Sequence, residues 1–242
     1  MSAVGIIPAR YRASRYPGKP LALISGRPMI QHVIEGARSA KTLRDVLVAT
    51  DDERIAAAAA AAGARVAMTS PDHPTGTDRL AEAAARLDDA IVVNIQGDEP
   101  LIEGFVIDAA VEALEADAES EMATVVHALA PAALGDPNRV KAVLDRAGRA
   151  LYFSRAPIPY RRADAAAPRW LQHVGLYAYR REFLLRFVTL AQGEAERAEG
   201  LEQLRALEHG FRIRCAVIDG WHSVPVDVPA DVARVEAALA RR

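Results

Sequence analysis

Residues 7–20 read IPARYRASRYPGKP, which sets Arg10, Arg12, Arg15 and Lys19 within ten residues with no acidic side chain among them. Four cations held so close call for an anion, and arginine forks beside a lysine point charge suit phosphate oxygens. The stretch is not a Walker loop, because Ala13 stands where that pattern needs glycine and Pro20 where it needs serine or threonine. Nor is it a dinucleotide fingerprint, since Gly18 is its only glycine. Side-chain cations must then share the work with backbone N–H groups, and a polyphosphate is the ligand that fits best. A solvated basic turn with no ligand is the alternative.

A second stretch, VVNIQGDEP, breaks an apolar run into Gln96, Gly97, Asp98 and Glu99. Mg²⁺ is commonly held by one or two carboxylates together with phosphate oxygens, so Asp98 facing a nucleoside triphosphate is sound chemistry. Asp227, in PVDVPAD, follows the last apolar run and either closes the same site or caps a turn. The segment TSPDHPTGTDRL is rich in turn formers that can present backbone groups to a base, with Arg79 early on the helix that follows. By composition alone it is a loop, and His73 a surface histidine.

These residues need elements to position them. Buried strands are expected at residues 4–8, 46–50, 65–68 and 91–95, with helices between the first two pairs, which is the alternation of a parallel sheet. The first helix is expected to take Pro28 as its first residue and to bury Met29, Ile30, Val33, Ile34 and Ala37. The second is expected to open on a capping box between Thr50 and Glu53 and to stop at Gly63. In such a sheet ligands bind beyond the carboxyl ends of the strands, where both the basic loop and Asp98 fall. From about Glu121 the runs MATVVHAL, NRVKAVLD, RALYFSR and HVGLYAYR predict antiparallel strands. Residues 161–169 form a polar loop, either a lid or a connection. Helices are expected at 181–190 and 199–208, a strand at 211–218 and a last helix from about Ala230. On that pattern Glu202 and Gln203 lie on a solvent face, and His173 and Tyr177 sit within a strand.

The chain has 242 residues, 51% of them hydrophobic, enough for one sizeable α/β domain over residues 1–242. A formal charge of −2 gives no global basic field of the kind that holds nucleic acid, so the basic loop serves something small. Cys215 is the only cysteine, which rules out an internal disulfide or a cysteine zinc cage and suits a reducing compartment. No basic n-region or long h-region precedes the first strand, and no apolar run approaches the roughly 18 residues of a membrane span. The expectation is a soluble cytoplasmic protein with no membrane partner.

Taken in order, IPARYRASRYPGKPL, HPTGTDRLAE, VVNIQGDEPLI, ALYFSRAPIPY, HVGLYAYR and LEQLRAL closely resemble the CMP-Kdo synthetase (3-deoxy-manno-octulosonate cytidylyltransferase) family, essentially end to end. The resemblance implies a Rossmann-like, GT-A-like nucleotidyltransferase fold, mainly parallel, with an antiparallel portion near residues 121–190 that contributes sugar-site and dimer elements. It implies a homodimer, Mg²⁺ dependence, and the reaction of CTP with the acid sugar Kdo to give CMP-Kdo and diphosphate for lipopolysaccharide biosynthesis. By the same resemblance Pro8, Ala9, Arg10, Ser14, Arg15 and Lys19 contact the nucleotide and its triphosphate, and His73, Gly76, Thr77 and Arg79 its base and ribose. Asp98 and Asp227 match metal ligands, and Gln96, Arg155, His173, Tyr177, Glu202 and Gln203 match the surroundings of the sugar. Arg10, Lys19 and Asp98 would carry the catalysis.

Three positions depart from the family pattern. Gln172 replaces a residue that is commonly basic, Val228 a threonine and Thr75 a serine. The first keeps a related acceptor open, such as the 8-amino analogue of Kdo. A sialic-acid enzyme is disfavoured because the first loop lacks GGSKG-like glycines. A silent nucleotide-binding module is disfavoured by the joint presence of Arg10, Lys19, Asp98 and Asp227.

Overall fold

The computed structural model of the chain describes residues 2–12 and 16–241. Ser14 and Arg15, matched to triphosphate contacts by the resemblance, lie outside the described residues. The strands are β1 Ala3–Ala9, β2 Leu23–Ile24, β3 Arg27–Pro28, β4 Leu43–Thr50, β5 Arg65–Met68, β6 Ile91–Asn94, β7 Met122–Ala128, β8 Lys141–Leu144, β9 Ala150–Ser154, β10 Leu171–Arg180 and β11 Ile213–Ile218. The α-helices are α1 Met29–Arg38, α2 Glu53–Ala61, α3 Gly76–Ala84, α4 Gly104–Glu115, α5 Arg181–Phe187, α6 Glu194–Glu199, α7 Leu204–Glu208 and α8 Asp231–Leu239.

The main sheet runs β11-β7-β10-β6-β1-β4-β5, with β8 and β9 branching from β10, while β2 and β3 make a separate hairpin. β1 pairs in parallel with β4 and β6, as does β4 with β5. β10 then runs antiparallel to β6, β7 and β8, so the expected antiparallel portion begins in the middle of the sheet. The alternation of side chains along β1 divides the core: Ala3, Ile7 and Ala9 join the cluster under α1, α2 and α4, whereas Val4 and Ile6 join the cluster under α3, α5 and α7. Burial on both faces explains the unbroken apolar run of this strand.

Three local expectations change. Pro28 caps α1 and is not its first residue, because its extended backbone (ψ 138°) pairs with Leu23 in the β2–β3 hairpin. The α1 face is otherwise as expected, with His32 added to it. Asp52, not Thr50, caps α2: its carboxylate accepts from the backbone N–H groups of Arg54 and Ile55, while Thr50 completes β4. Of the helix expected at 199–208 only its second half forms, as α7: α6 ends at Glu199, Gly200 is left-handed with φ 61°, and residues 201–203 make a turn. The break turns Gln203 into the interior, where it is buried, and carries Glu202 with it away from the expected solvent face.

Candidate active site

The basic loop leaves β1 at the carboxyl edge of the sheet and returns through Gly18, whose φ of 73° lets its N–H reach the Tyr11 carbonyl at 2.8 Å. The Arg54 guanidinium, at the start of α2, lies 3.4 Å from the centre of the Tyr11 ring and holds the loop from the side. A one-turn helix over Lys19–Leu21 then sends the Lys19 side chain across to the end of β6. Lys19 Nζ donates to Asp98 Oδ2 at 2.8 Å and to the Val226 carbonyl at 2.9 Å, and lies 4.0 Å from Asp227 Oδ1. The Val226 N–H donates in turn to the Asp98 carbonyl at 2.9 Å. Three segments far apart in sequence are thus tied at one point.

Around that point opens a cavity of about 290 Å³ lined by Pro8, Ala9, Arg10, Lys19, His73, Gly76, Arg79, Gln96, Asp98 and Asp227, together with Tyr16, Pro20, Thr75 and Gly97. A Cβ on Gly97 would sit 3.2 Å from the Pro8 carbonyl oxygen, so the close approach of the two strand ends depends on glycine there. α3 points its N-terminus at this cavity behind a capping box between Thr75 and Asp78, the box expected one helix earlier. His73 Nε2 pairs with Glu82 Oε2 at 2.6 Å. That contact first, then the Ser70 N–H, keeps the Glu82 carboxyl below its usual range. Arg79 is almost wholly buried, pairing with Asp51 Oδ1 at 3.2 Å and donating to Thr69 Oγ1. Burial lowers its affinity for the proton and the Asp51 charge opposes that.

Asp98 and Asp227 both flank the Lys19 ammonium, and both offer hard oxygen donors. Among the described residues no group of three or more His, Cys, Asp and Glu could hold a metal alone. Two carboxylates completed by phosphate oxygens are a donor set that fits Mg²⁺. Glu99, next in sequence, does not join them. It is buried, accepts from the Ser223 hydroxyl, and is pushed up to about 7 by burial.

A larger cavity, about 870 Å³, adjoins the first and shares Gln96 and Asp227 with it. β10 supplies His173, Gly175 and Tyr177 to its wall, where an irregularity between Val174 and Tyr177 breaks the pairing with β7 and re-aims the side chains. The His173 ring is enclosed by Phe153 and Tyr177, and its Nε2 donates to Thr124 Oγ1 at 3.1 Å, since that hydroxyl is itself donated to the Leu176 carbonyl. Burial lowers His173 to about 3, so the ring is neutral at physiological pH and Nδ1 is left as an acceptor. Burial likewise raises the Tyr177 phenol well above its usual value.

Glu202 and Gln203 enter from the break between α6 and α7. Glu202 Oε2 accepts from Thr77 Oγ1 at 2.5 Å, joining the sugar-side segment to the first turn of α3. Burial raises the Glu202 carboxyl, while the Thr77 hydroxyl and Arg205 oppose the rise. Gln203 Nε2 is buried with no hydrogen-bond partner among the described residues. An unmade bond of that kind costs about 1–3 kcal/mol unless a ligand acceptor meets it. Arg155 lines neither cavity, because its guanidinium donates to the carbonyls of Glu199, Pro137 and Gly200 and its backbone N–H to Glu199 Oε2. Among the described residues Thr77 lines neither cavity and reaches the site through Glu202. Sequence reasoning missed Glu82, Asp51, Tyr16 and Arg139. The first two are partners of His73 and Arg79, brought to them from other turns and elements, a relation no local pattern carries.

Residues 4–213 match the family model described as Cytidylyltransferase. The chain is 52% identical, over all of its length and 99% of the relative's, to a 3-deoxy-manno-octulosonate cytidylyltransferase of Geobacter metallireducens. It is 54% identical to one of Syntrophobacter fumaroxidans, covering all of this chain and 98% of the other. Among solved structures it superposes with TM-score 0.94 and 43% identity on a CMP:2-keto-3-deoxy-manno-octonic acid synthetase complexed with CTP, covering all of this chain and 99% of that one. A 4-diphosphocytidyl-2C-methyl-D-erythritol synthase of Anaerococcus prevotii, at TM-score 0.66 and 11% identity over 99% of each chain, shares the fold.

Proposed function

The chain belongs to the cytidylyltransferase family, and from that premise we propose that it joins CTP to 3-deoxy-manno-octulosonate, giving CMP-Kdo and diphosphate. The observation that carries the reading is the pair of adjoining cavities that share Gln96 and Asp227, one rich in phosphate-seeking cations and the other in hydrogen-bonding groups suited to a sugar. A group must pass between two bound substrates at such a seam.

In the proposed reaction the anomeric 2-hydroxyl oxygen of the sugar acid attacks the α-phosphorus, the bond from that phosphorus to the bridging oxygen breaks, and diphosphate leaves with the electron pair. The hydroxyl proton is released to solvent. Negative charge grows on the non-bridging oxygens and on the leaving group, and Arg10 on the cavity wall and Lys19, anchored by Asp98 and the Val226 carbonyl, are the cations placed to meet it. Asp98 and Asp227 would hold Mg²⁺, which supplies Lewis-acid stabilisation of the phosphate charge. Backbone groups of Pro8 and Ala9, with His73, Gly76 and the buried Arg79, hold the nucleoside end. Gln203 Nε2 and the neutral His173 orient the sugar hydroxyls. Arg155 supports the sugar site by fixing the segment that carries Glu202 and Gln203. Holding both substrates in line contributes several of the ~7–11 kcal/mol that become available once motional entropy has been given up on binding.

A homodimer is part of the proposal, supported by apolar side chains left exposed on the later strands, Leu151, Tyr152 and Val217. A cytoplasmic role in supplying activated sugar for lipopolysaccharide assembly is supported by the free thiol of Cys215, which suits a reducing compartment. Among the described residues no helix is long and apolar enough to cross a membrane. The test is diphosphate release from purified protein with CTP and Mg²⁺, comparing Kdo, 8-amino-Kdo and sialic acid. Release with Kdo in preference to the others is expected. Preference for the amino sugar would keep the mechanism and change the acceptor, and no release with any of them would overturn the reading.

A further inference from the structure

We infer that Arg139, oriented by Gln172, is the cation that receives the carboxylate of the acceptor sugar acid; this rests on the transferase reading. The second cavity is a poor host for an anion at first sight. Asp136, Glu202 and Asp227 all line it, so an acid entering without a partner meets like charge. His173 offers no compensation, because burial keeps its ring neutral.

The cations nearby are mostly committed. Lys141 Nζ is spent on the carbonyls of Asp136 and Arg155. Arg155 is spent on three further carbonyls. Arg205 is locked by two bonds, at 2.8 and 2.6 Å, to the buried Glu196. Arg234 donates to the Pro225 carbonyl at 2.9 Å and pairs with Asp231 at 3.3 Å. Arg241 lines the cavity too, past the end of α8, but among the described residues no side-chain hydrogen bond orients it.

Arg139 differs from all of these. It lines the cavity just ahead of β8, and the next residue, Val140, accepts the His173 backbone N–H at 2.8 Å, which keeps the arginine beside the sugar-side wall. Its Nη1 donates to Gln172 Oε1 at 3.0 Å. Its Nε is ion-paired with Asp136 Oδ2 at 3.6 Å, a contact too long for a good hydrogen bond and weakened by solvent on both side chains. Nη2 makes no hydrogen bond among the described residues, and the side chain is about half exposed, at 48%. A neutral amide oxygen can fix one arm of a guanidinium without cancelling its charge, whereas a carboxylate in the place of Gln172 would neutralise it. One arm anchored and one arm open is an arrangement suited to receiving a second anionic group.

The test uses the full-length protein with CTP and Mg²⁺, measuring diphosphate release while Kdo is varied. Arg139→Gln keeps a donor toward Gln172 and removes the charge. It is expected to raise KM for Kdo by about 10- to 100-fold, with kcat and KM for CTP changed by less than about threefold, the pattern of a lost ground-state contact. Because Gln172 touches Arg139, an arginine at 172 reaches the same space, so Gln172→Arg in the Arg139→Gln background is expected to recover most of the affinity. Thermal melts of each variant check that the fold is retained. An unchanged KM for Kdo in Arg139→Gln, with the wild-type protein turning over, would overturn this inference alone. No turnover of Kdo by the wild-type protein would overturn the transferase reading with it.

Discussion

The two cavities that meet at Gln96 and Asp227 are built in opposite ways. The smaller one is made mostly of segments that each end or follow a parallel strand: 8–10 and 16–20 at and beyond the end of β1, 73–79 ahead of and into α3, and 96–98 after β6. Its working groups are mainly charges. The larger one is assembled from short runs on more distant elements, 136–140 ahead of β8, 172–177 on β10, 200–203 at the break between α6 and α7, 223–227 before α8 and one face of α8 itself, and among its working groups are buried, neutral ones. A triphosphate can be held by cations of approximate position, because Coulomb forces fall slowly with distance. Sugar hydroxyls are told apart only by hydrogen bonds, which fail within about half an ångström.

Substitutions should separate the two sides. The largest expected effect is at their shared edge: Asp98→Asn keeps shape and removes charge, and should lower kcat by at least about 100-fold, with an unchanged circular dichroism spectrum. Wild-type rates at saturating Mg²⁺ would remove Asp98 from the chemistry. The next concerns the buried side alone. His173 titrates near 3 in the folded chain against about 6.5 when unfolded, so the unfolded state binds the extra proton and stability is lost as pH falls from 6.5 toward 3. At pH 5 that loss is roughly 2 kcal/mol, and His173→Asn should flatten the fall in melting temperature between pH 7 and pH 5. Equal slopes in the two proteins would mean that the ring is not buried neutral.

Gln203→Leu should raise KM for the sugar by about tenfold and leave KM for CTP unchanged, since it removes a buried donor that has no partner among the described residues. An equal effect on both substrates would blur the division between the cavities. The smallest effect is expected where the two sides touch. Thr77→Val cuts the 2.5 Å bond to Glu202 and should weaken sugar binding by about threefold, with a melting temperature lower by about 2–4 °C. An altered KM for CTP alone would assign Thr77 to the nucleotide.

The division explains which parts were legible in the sequence. The four parallel strands and the buried face of α1 follow from periodicity, and the loop cations and Asp98 stand at strand ends where open sheets bind ligands. Caps were less legible: Thr50 and Asp52 are both good capping residues, and the choice fell to Asp52 because Thr50 continues the pairing of β4 with β5. Glu202 and Gln203 were misplaced for a related reason. The leucine spacing around them suits one long helix, and only Gly200 in the left-handed region breaks it.

The alternating strands and helices, the family and the phosphate-seeking loop could all be read before any coordinates, because each is written in residues close together along the chain. Folding in three dimensions settled the rest. It brought Lys19 to Asp98 and Asp227, spent Arg155 on carbonyls while leaving Arg139 open, and left Gln203 Nε2 buried with no partner among the described residues. Which charge is spent and which remains available depends on neighbours that are distant in sequence, and only packing brings them together.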